Sequence, residues 1–202
     1  MRKGEDGSLR KIFRISVVSG IFGQIFSILA GSGSAFLTKF AILLHASPVH
    51  FGLLAAIGQV SQIFQPIGAL VTKRRTRRKG VVLTLQFVGY AIAVCFGALP
   101  FLFPNHQAIN IFLMLFFLSV SILSIANNAW IGWISDVIPH RVRGRFFSTL
   151  SRYMMIIAVG TGIVCGLFID SFKAPVNNDA VANASVFFRP ENLPLGFMII
   201  FL

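Results

Sequence analysis

The chain has 202 residues, 55% of them hydrophobic, and only 12% carry charge, where a soluble domain carries about a quarter. Its mean hydropathy is +0.80 and its formal net charge +12. This balance excludes a soluble globular domain, and the recurrence of apolar stretches along the whole chain excludes a single cleaved leader as their cause.

In chain order, residues 1–14 read as a basic cytoplasmic segment, and 15–202 as one polytopic all-α membrane domain. Crossing about 30 Å of hydrocarbon takes roughly 20 helical residues. The apolar runs then predict spans over about 15–38, 48–72, 80–103, 108–133 and 147–169, with a further run, LPLGFMIIFL, over 193–202. Ten residues are too few to span, so this last run reads as the start of a sixth helix and the sequence as a fragment. Ser47 before Pro48 predicts an N-cap and a first-turn proline for the second helix. Pro100 and Pro104 bracket the end of the third, and Pro139 with Gly144 is expected to turn the chain between the fourth and fifth.

The cations set an expected orientation, because Lys and Arg of short loops stay on the cytoplasmic side. Five lie at the N-terminus (Arg2, Lys3, Arg10, Lys11, Arg14) and six between the second and third spans (Lys73, Arg74, Arg75, Arg77, Arg78, Lys79). Four more flank the fourth-to-fifth connection (Arg141, Arg143, Arg145, Arg152), whereas the opposite side holds Lys39, Lys173 and Arg189. Fifteen against three predicts a cytoplasmic N-terminus, in a bacterial inner membrane. The same distribution argues against nucleic-acid binding, since KRRTRRK is a short turn between two spans and not one face of a folded basic domain.

Polar residues inside the spans are the candidate functional groups. Gln24 lies in the first span, Gln59, Gln62 and Gln65 step by three along the second, and Asn127 and Asn128 sit toward the inner end of the fourth. Amides are costly against lipid and are expected to point into the bundle or a wet cavity, as interhelical hydrogen bonds or as contacts to a solute. Small residues (Ser16, Gly20, Gly23, Ser27, Gly31, Ser34) recur at steps of three or four in the first span, and Gly162 with Gly166 forms a GxxxG pair in the fifth. Both patterns read as helix packing. No spacing of Cys95, Cys165 or the four histidines suggests a metal or cofactor site. No nucleophile and base share mid-membrane depth, so an intramembrane enzyme is not expected. Asp136 stands among the inner cations, and is expected to pair with Arg143, Arg145, Arg152 or the basic loop at 73–79; the alternative makes these arginines plain topology anchors.

The basic loop GALVTKRRTRRK after the second span, and the pattern D-x-x-P-x-x-x-R-G-R-F after the fourth (Asp136, Pro139, Arg143, Gly144, Arg145, Phe146), resemble the N-terminal half of a major facilitator superfamily transporter. The resemblance runs over essentially the whole chain. It departs from the family at Thr72, where an aspartate is usual, and at Leu167, where the drug-proton antiporter branch carries proline after glycine.

The resemblance implies two six-helix halves that rock about a solute held near the midplane. It further implies that the first and fourth helices line the cavity, making Gln24, Asn127 and Asn128 the solute-path candidates. The second and fifth helices lie along the seam to the other half, with Gln59, Gln62, Gln65, Gly162 and Gly166. Asp136, Arg143, Gly144, Arg145 and Arg152 become inner-gate candidates. The implied partners are the lipid bilayer, a small solute and the remaining half of the same chain. A non-transporting membrane interaction protein, or a decayed gene fragment, is the alternative.

Overall fold

A computed structural model of the chain describes residues 3–73, 78–138, 140–170 and 192–201; the side chains of 3–16, 71–73, 78–79, 105–106 and 136–137 fall outside that description. The elements in order are α1 (Lys3–Ala30), α2 (Ala35–Leu43), α3 (Pro48–Val60), a 3₁₀ turn (Ser61–Phe64), α4 (Gln65–Lys73) and α5 (Arg78–Val94). A second 3₁₀ turn (Cys95–Ala98), α6 (Leu99–Leu102), α7 (Asn105–Val137), α8 (His140–Asp170) and α9 (Leu193–Phe201) follow. The fold is all-helical, with no strand among the described residues. Four helical stretches are long and apolar enough to cross a membrane: Pro48–Leu70, Gly80–Leu102, Gln107–Ser135 and His140–Asp170. A fifth exists if the bent pair α1–α2 is one span.

The first span is not the continuous helix expected over 15–38. It breaks after Ala30 and resumes at Ala35, with the two pieces bent by 43°. Gly33 supplies the reversal at φ +85°, a conformation in which a Cβ would be strained. Ser34 then mends both exposed helix ends. Its hydroxyl reaches back to the carbonyls of Ile28 and Leu29 (3.1 Å to Leu29) and accepts from the N–H groups of Phe36 and Leu37 at 3.2 and 3.4 Å. The start of α1 also differs from the expected boundary, because the helix already begins at Lys3 in the basic segment.

The second and third spans repeat one device. Pro66 cannot donate to the Gln62 carbonyl, and Pro100 cannot donate to that of Phe96. In each case a 3₁₀ turn ends two residues before the proline, and the residue ahead of it donates instead, Gln65 N–H to Gln62 and Leu99 N–H to Phe96. No carbonyl is orphaned, so both spans continue past their prolines. The α2–α3 turn closes as a Schellman pair, His45 N–H to Ile42 O at 2.9 Å and Ala46 N–H to Ala41 O at 3.0 Å, with His45 left-handed at φ 58°. α3 starts at Pro48 behind Ser47, as expected, and the Ser47 N–H donates to Nδ1 of His50 at 3.0 Å.

α7 is the axis of the bundle, with α5, α4, α3 and the 61–64 turn packed along it. Two buried serines pin it. Ser119 donates to the Gly89 carbonyl of α5 at 2.9 Å, and Ser121 to the Ser61 hydroxyl at 3.2 Å. The largest buried cluster gathers Phe40, Phe96, Phe112, Phe197 and Phe201 from α2, the second 3₁₀ turn, α7 and α9. Phe40 stands edge-on to Phe112 and Phe201 at 5.3 and 5.2 Å between centroids, and Phe96 to Phe112 at 5.2 Å.

Close helix approach depends on glycines other than the GxxxG pair. A Cβ on Gly68 would lie 2.3 Å from the Ile125 carbonyl oxygen and 3.1 Å from the Ala129 nitrogen, so α4 crosses α7 backbone to backbone there. Gly162 and Gly166 meet nothing within 4 Å. α8, only 6% of whose membrane-length stretch is buried, turns that face away from the rest of the described chain. Accordingly Gly68→Leu is expected to cost at least about 1–3 kcal/mol through overpacking. Gly162→Ala in the same chain should leave the thermal midpoint in detergent unchanged; equal midpoints for the two variants would refute the assigned crossing.

Candidate functional site

α1 and α8 pack on each other, while α4 and α5 pack on α7. Between these two groups runs a cleft of about 800 Å³. α1 lines it with Gly20, Gly23, Gln24 and Ser27, α4 with Gln65, and α5 with Gln86 and Tyr90. α7 adds Ser124, Asn127 and Trp130, and α8 adds Phe147, Leu150 and Ser151.

Local packing explains the shape. Phe26 of α1 leans on Tyr90 of α5 with ring centroids 4.9 Å apart, which joins the two walls. A Cβ on Gly23 would sit 3.3 Å from the Tyr90 hydroxyl, so the glycine leaves that hydroxyl its room. At Gly20 the space is taken instead by Met154 of α8, whose Sδ and Cε lie 2.9 Å from where a Cβ would be.

The chemistry of the lining is uniform. Among the described residues it contains four amides (Gln24, Gln65, Gln86, Asn127), several serine hydroxyls and the Tyr90 phenol, and no Asp, Glu, Lys, Arg or His. None of the four amides is hydrogen-bonded to another described residue. An amide at membrane depth with no protein partner requires water or a ligand to satisfy it.

Of the expected solute-path residues, Gln24 and Asn127 line this cleft, whereas Asn128 is half-buried on another face of α7. Of the residues assigned to the seam, Gln65 also lines it, while Gln59 and Gln62 are exposed on α3 and the 61–64 turn. Gln86, Tyr90 and Trp130 were not singled out from sequence. Gln86 carried the same signal as Gln24, a lone amide within an apolar run (VVLTLQFVGY). Tyr90 and Trp130 carried none, because an aromatic in a membrane helix is ordinary core material.

The basic connection is built differently from expectation. α7 ends at Val137 with Ile138 as its C-cap, Pro139 lies outside the described residues, and α8 begins at His140. Gly144 is therefore inside α8 and is not the turning residue. Arg143 reaches back over this turn and donates from one guanidinium nitrogen to the carbonyls of Ser135 and Ile138, the latter at 3.3 Å. It thus caps the C-terminus of α7, where carbonyls and helix dipole both favour a cation. Its Nε is buried and has no partner among the described residues. Arg145 and Arg152 are exposed. The Asp136 carboxylate, the expected partner, lies outside the described side chains.

Fold and lining together define a polytopic, all-helical membrane protein with a polar cleft between its helices. No protein-family model, no curated protein and no solved structure matches the chain.

Arg143→Lys separates the cap from a topology anchor. It keeps the cation count, and so normal insertion, but replaces a planar fork by a point charge that cannot serve the same carbonyls in the same way. A loss of about 1–2 kcal/mol in stability is expected, with faster amide exchange in the last turn of α7; wild-type exchange there would remove the capping role.

Proposed function

We propose that the chain belongs to the N-terminal half of a secondary carrier of the major facilitator type, which moves a small solute by alternating access. The observation that carries this reading is the polar cleft of about 800 Å³ set between membrane-length helices. Such a space falls within the range of about 300–1,000 Å³ typical of small-molecule sites. It lies between two helix groups, α1 with α8 and α4 with α5 and α7, and its amides have no hydrogen-bond partner among the described residues. The second half would cover the exposed faces of α8 and of α3, where Ile156, Val159, Ile163 and Gln59 have no cover from the described chain. In this reading the N-terminus, the connection near 73–79 and the start of α8 at 140–145 face the cytoplasm.

Asp136 has a place in the same scheme. Arg143 holds the end of α7, its Nε has no partner among the described residues, and Asp136 is the acid expected to gate the inner face. A contact made in only one of two conformations shifts their populations. Asp136→Asn should therefore leave insertion intact and alter the ratio of inward-open to outward-open protein. Unaltered accessibility and unaltered flux would reduce the arginines to anchors.

The carrier reading is tested by a single cysteine at Asn127, in full-length protein with Cys95 and Cys165 replaced by serine. Alternating access exposes this position to an impermeant thiol reagent from each side of the membrane in turn. Reaction from one side only, whatever solute is present, would refute transport and leave a membrane interaction protein.

A further inference from the structure

We infer that the cleft binds an uncharged, polyhydroxylated ring solute of the sugar class. The inference deepens the carrier reading and rests on it for how the solute arrives and leaves, whereas binding can be measured by itself.

Charge is the first argument. Among the described residues, no carboxylate, ammonium, guanidinium or imidazole lines the cleft. An ion entering it from water would give up its hydration shell with no countercharge on these walls, a cost that hydrogen bonds from neutral groups recover only in part. A neutral solute pays no such penalty. Cations are abundant elsewhere in the chain, inside α1, α2 and α8 as well as in the connections, so their absence from the described lining does not follow from composition.

The second argument is hydrogen-bond valence. Gln24, Gln65, Gln86 and Asn127 each offer a carbonyl acceptor beside an NH₂ donor, and none spends them on another described residue. A hydroxyl is likewise both donor and acceptor. Amides spread over four helices match a solute whose hydroxyls are spread around a ring, while a mainly apolar solute would leave them all desolvated and unpaired. The third argument is the pairing of these groups with aromatic surface. Phe26, Tyr90 and Trp130 line the same space, the first two as a tilted pair with centroids 4.9 Å apart. A pyranose carries C–H groups on its two faces and hydroxyls at its rim, so its faces suit the aromatics and its rim suits the amides.

Equilibrium binding to full-length protein in lipid vesicles tests this, with radiolabelled glucose, galactose, xylose and sucrose set against glucuronate, glucosamine and glucose phosphate. At least one neutral sugar is expected to bind, with its charged counterparts at least tenfold weaker. Asn127→Leu and Gln86→Leu should each weaken that sugar roughly tenfold, at unchanged thermal midpoint without ligand. Asn127→Asp, nearly isosteric, serves as the second variant if a leucine disturbs folding, and it should weaken binding as well. Binding of no neutral sugar, equal or tighter binding of a charged counterpart, or indifference to all three substitutions would overturn the inference. Its failure is distinguishable from that of the carrier reading. A charged solute that binds while position 127 is reached from both sides leaves a carrier with another substrate; a sugar that binds while 127 is reached from one side leaves a sugar site without transport.

Discussion

Every backbone N–H and C=O within the hydrocarbon layer needs a partner from the protein itself, and the fold is organised by how the chain meets that requirement wherever the α-helix fails. Among the described residues the failures are few and each has a named repair. At Pro66 and Pro100 the preceding residue donates one position early, and a single 3₁₀ turn replaces the missing bond. At the 31–34 break one hydroxyl, that of Ser34, serves the carbonyls of α1 and the N–H groups of α2. At Ile138 the Arg143 guanidinium covers carbonyls that water would serve in a soluble protein. A lysine ammonium in that place would remain strongly hydrated, whereas the flatter and more weakly hydrated guanidinium can sit half-buried.

These repairs determine where the bundle packs. The bend at Gly33 aims α2 so that Phe40 arrives, fully buried, between Phe112 of α7 and the rings of α9. The second 3₁₀ turn brings Phe96 and Gly97 to the same place, and α9 crosses there with the Met198 Cα only 2.9 Å from where a Gly97 Cβ would stand. Lipid tails are as apolar as phenylalanine, so burial from water contributes little to this assembly. Close contact between rings and between backbones does the holding, which is why the cluster is built from edge-on aromatics and flanked by glycine.

Spans and connections were legible in the sequence because length, apolarity and loop charge are properties of composition, and they fall close to their expected bounds for α3–α4, α5–α6 and α7. Breaks within spans were less so. The GSGS run at 31–34 and Pro66 were visible as residues, yet whether a proline ends a membrane helix or only tightens one turn depends on whether a neighbouring donor can reach the freed carbonyl. Gly144 shows the opposite error. A glycine beside a proline suggests a turn, but the capping reach of Arg143 goes with helix directly after Pro139, and one glycine inside that helix costs only about 1 kcal/mol. In the cleft, Gln24 and Asn127 were legible as amides in apolar runs, and Gln86 was equally so. Asn128 could not be separated from Asn127 without knowing how α7 is rotated, since neighbouring residues on a helix face about 100° apart.

The small residues of α1 show why packing and cavity cannot be told apart from spacing. A glycine at Gly20 or Gly23 removes the same volume from the helix surface, and that volume has no assigned use until a neighbour is placed against it. At Gly20 the flexible Met154 side chain fills it, and the position is helix packing. At Gly23 the rigid Tyr90 ring, held by Phe26, reaches only its hydroxyl toward the gap, and the remainder stays open as cleft. One stripe thus serves as adhesive toward α8 and as wall toward α5. The difference lies in the neighbour: methionine adapts to whatever space is offered, while a tyrosine fixed by an aromatic partner does not. A polar cleft beside a packed seam therefore follows from placing one soft and one stiff side chain opposite the same row of small residues.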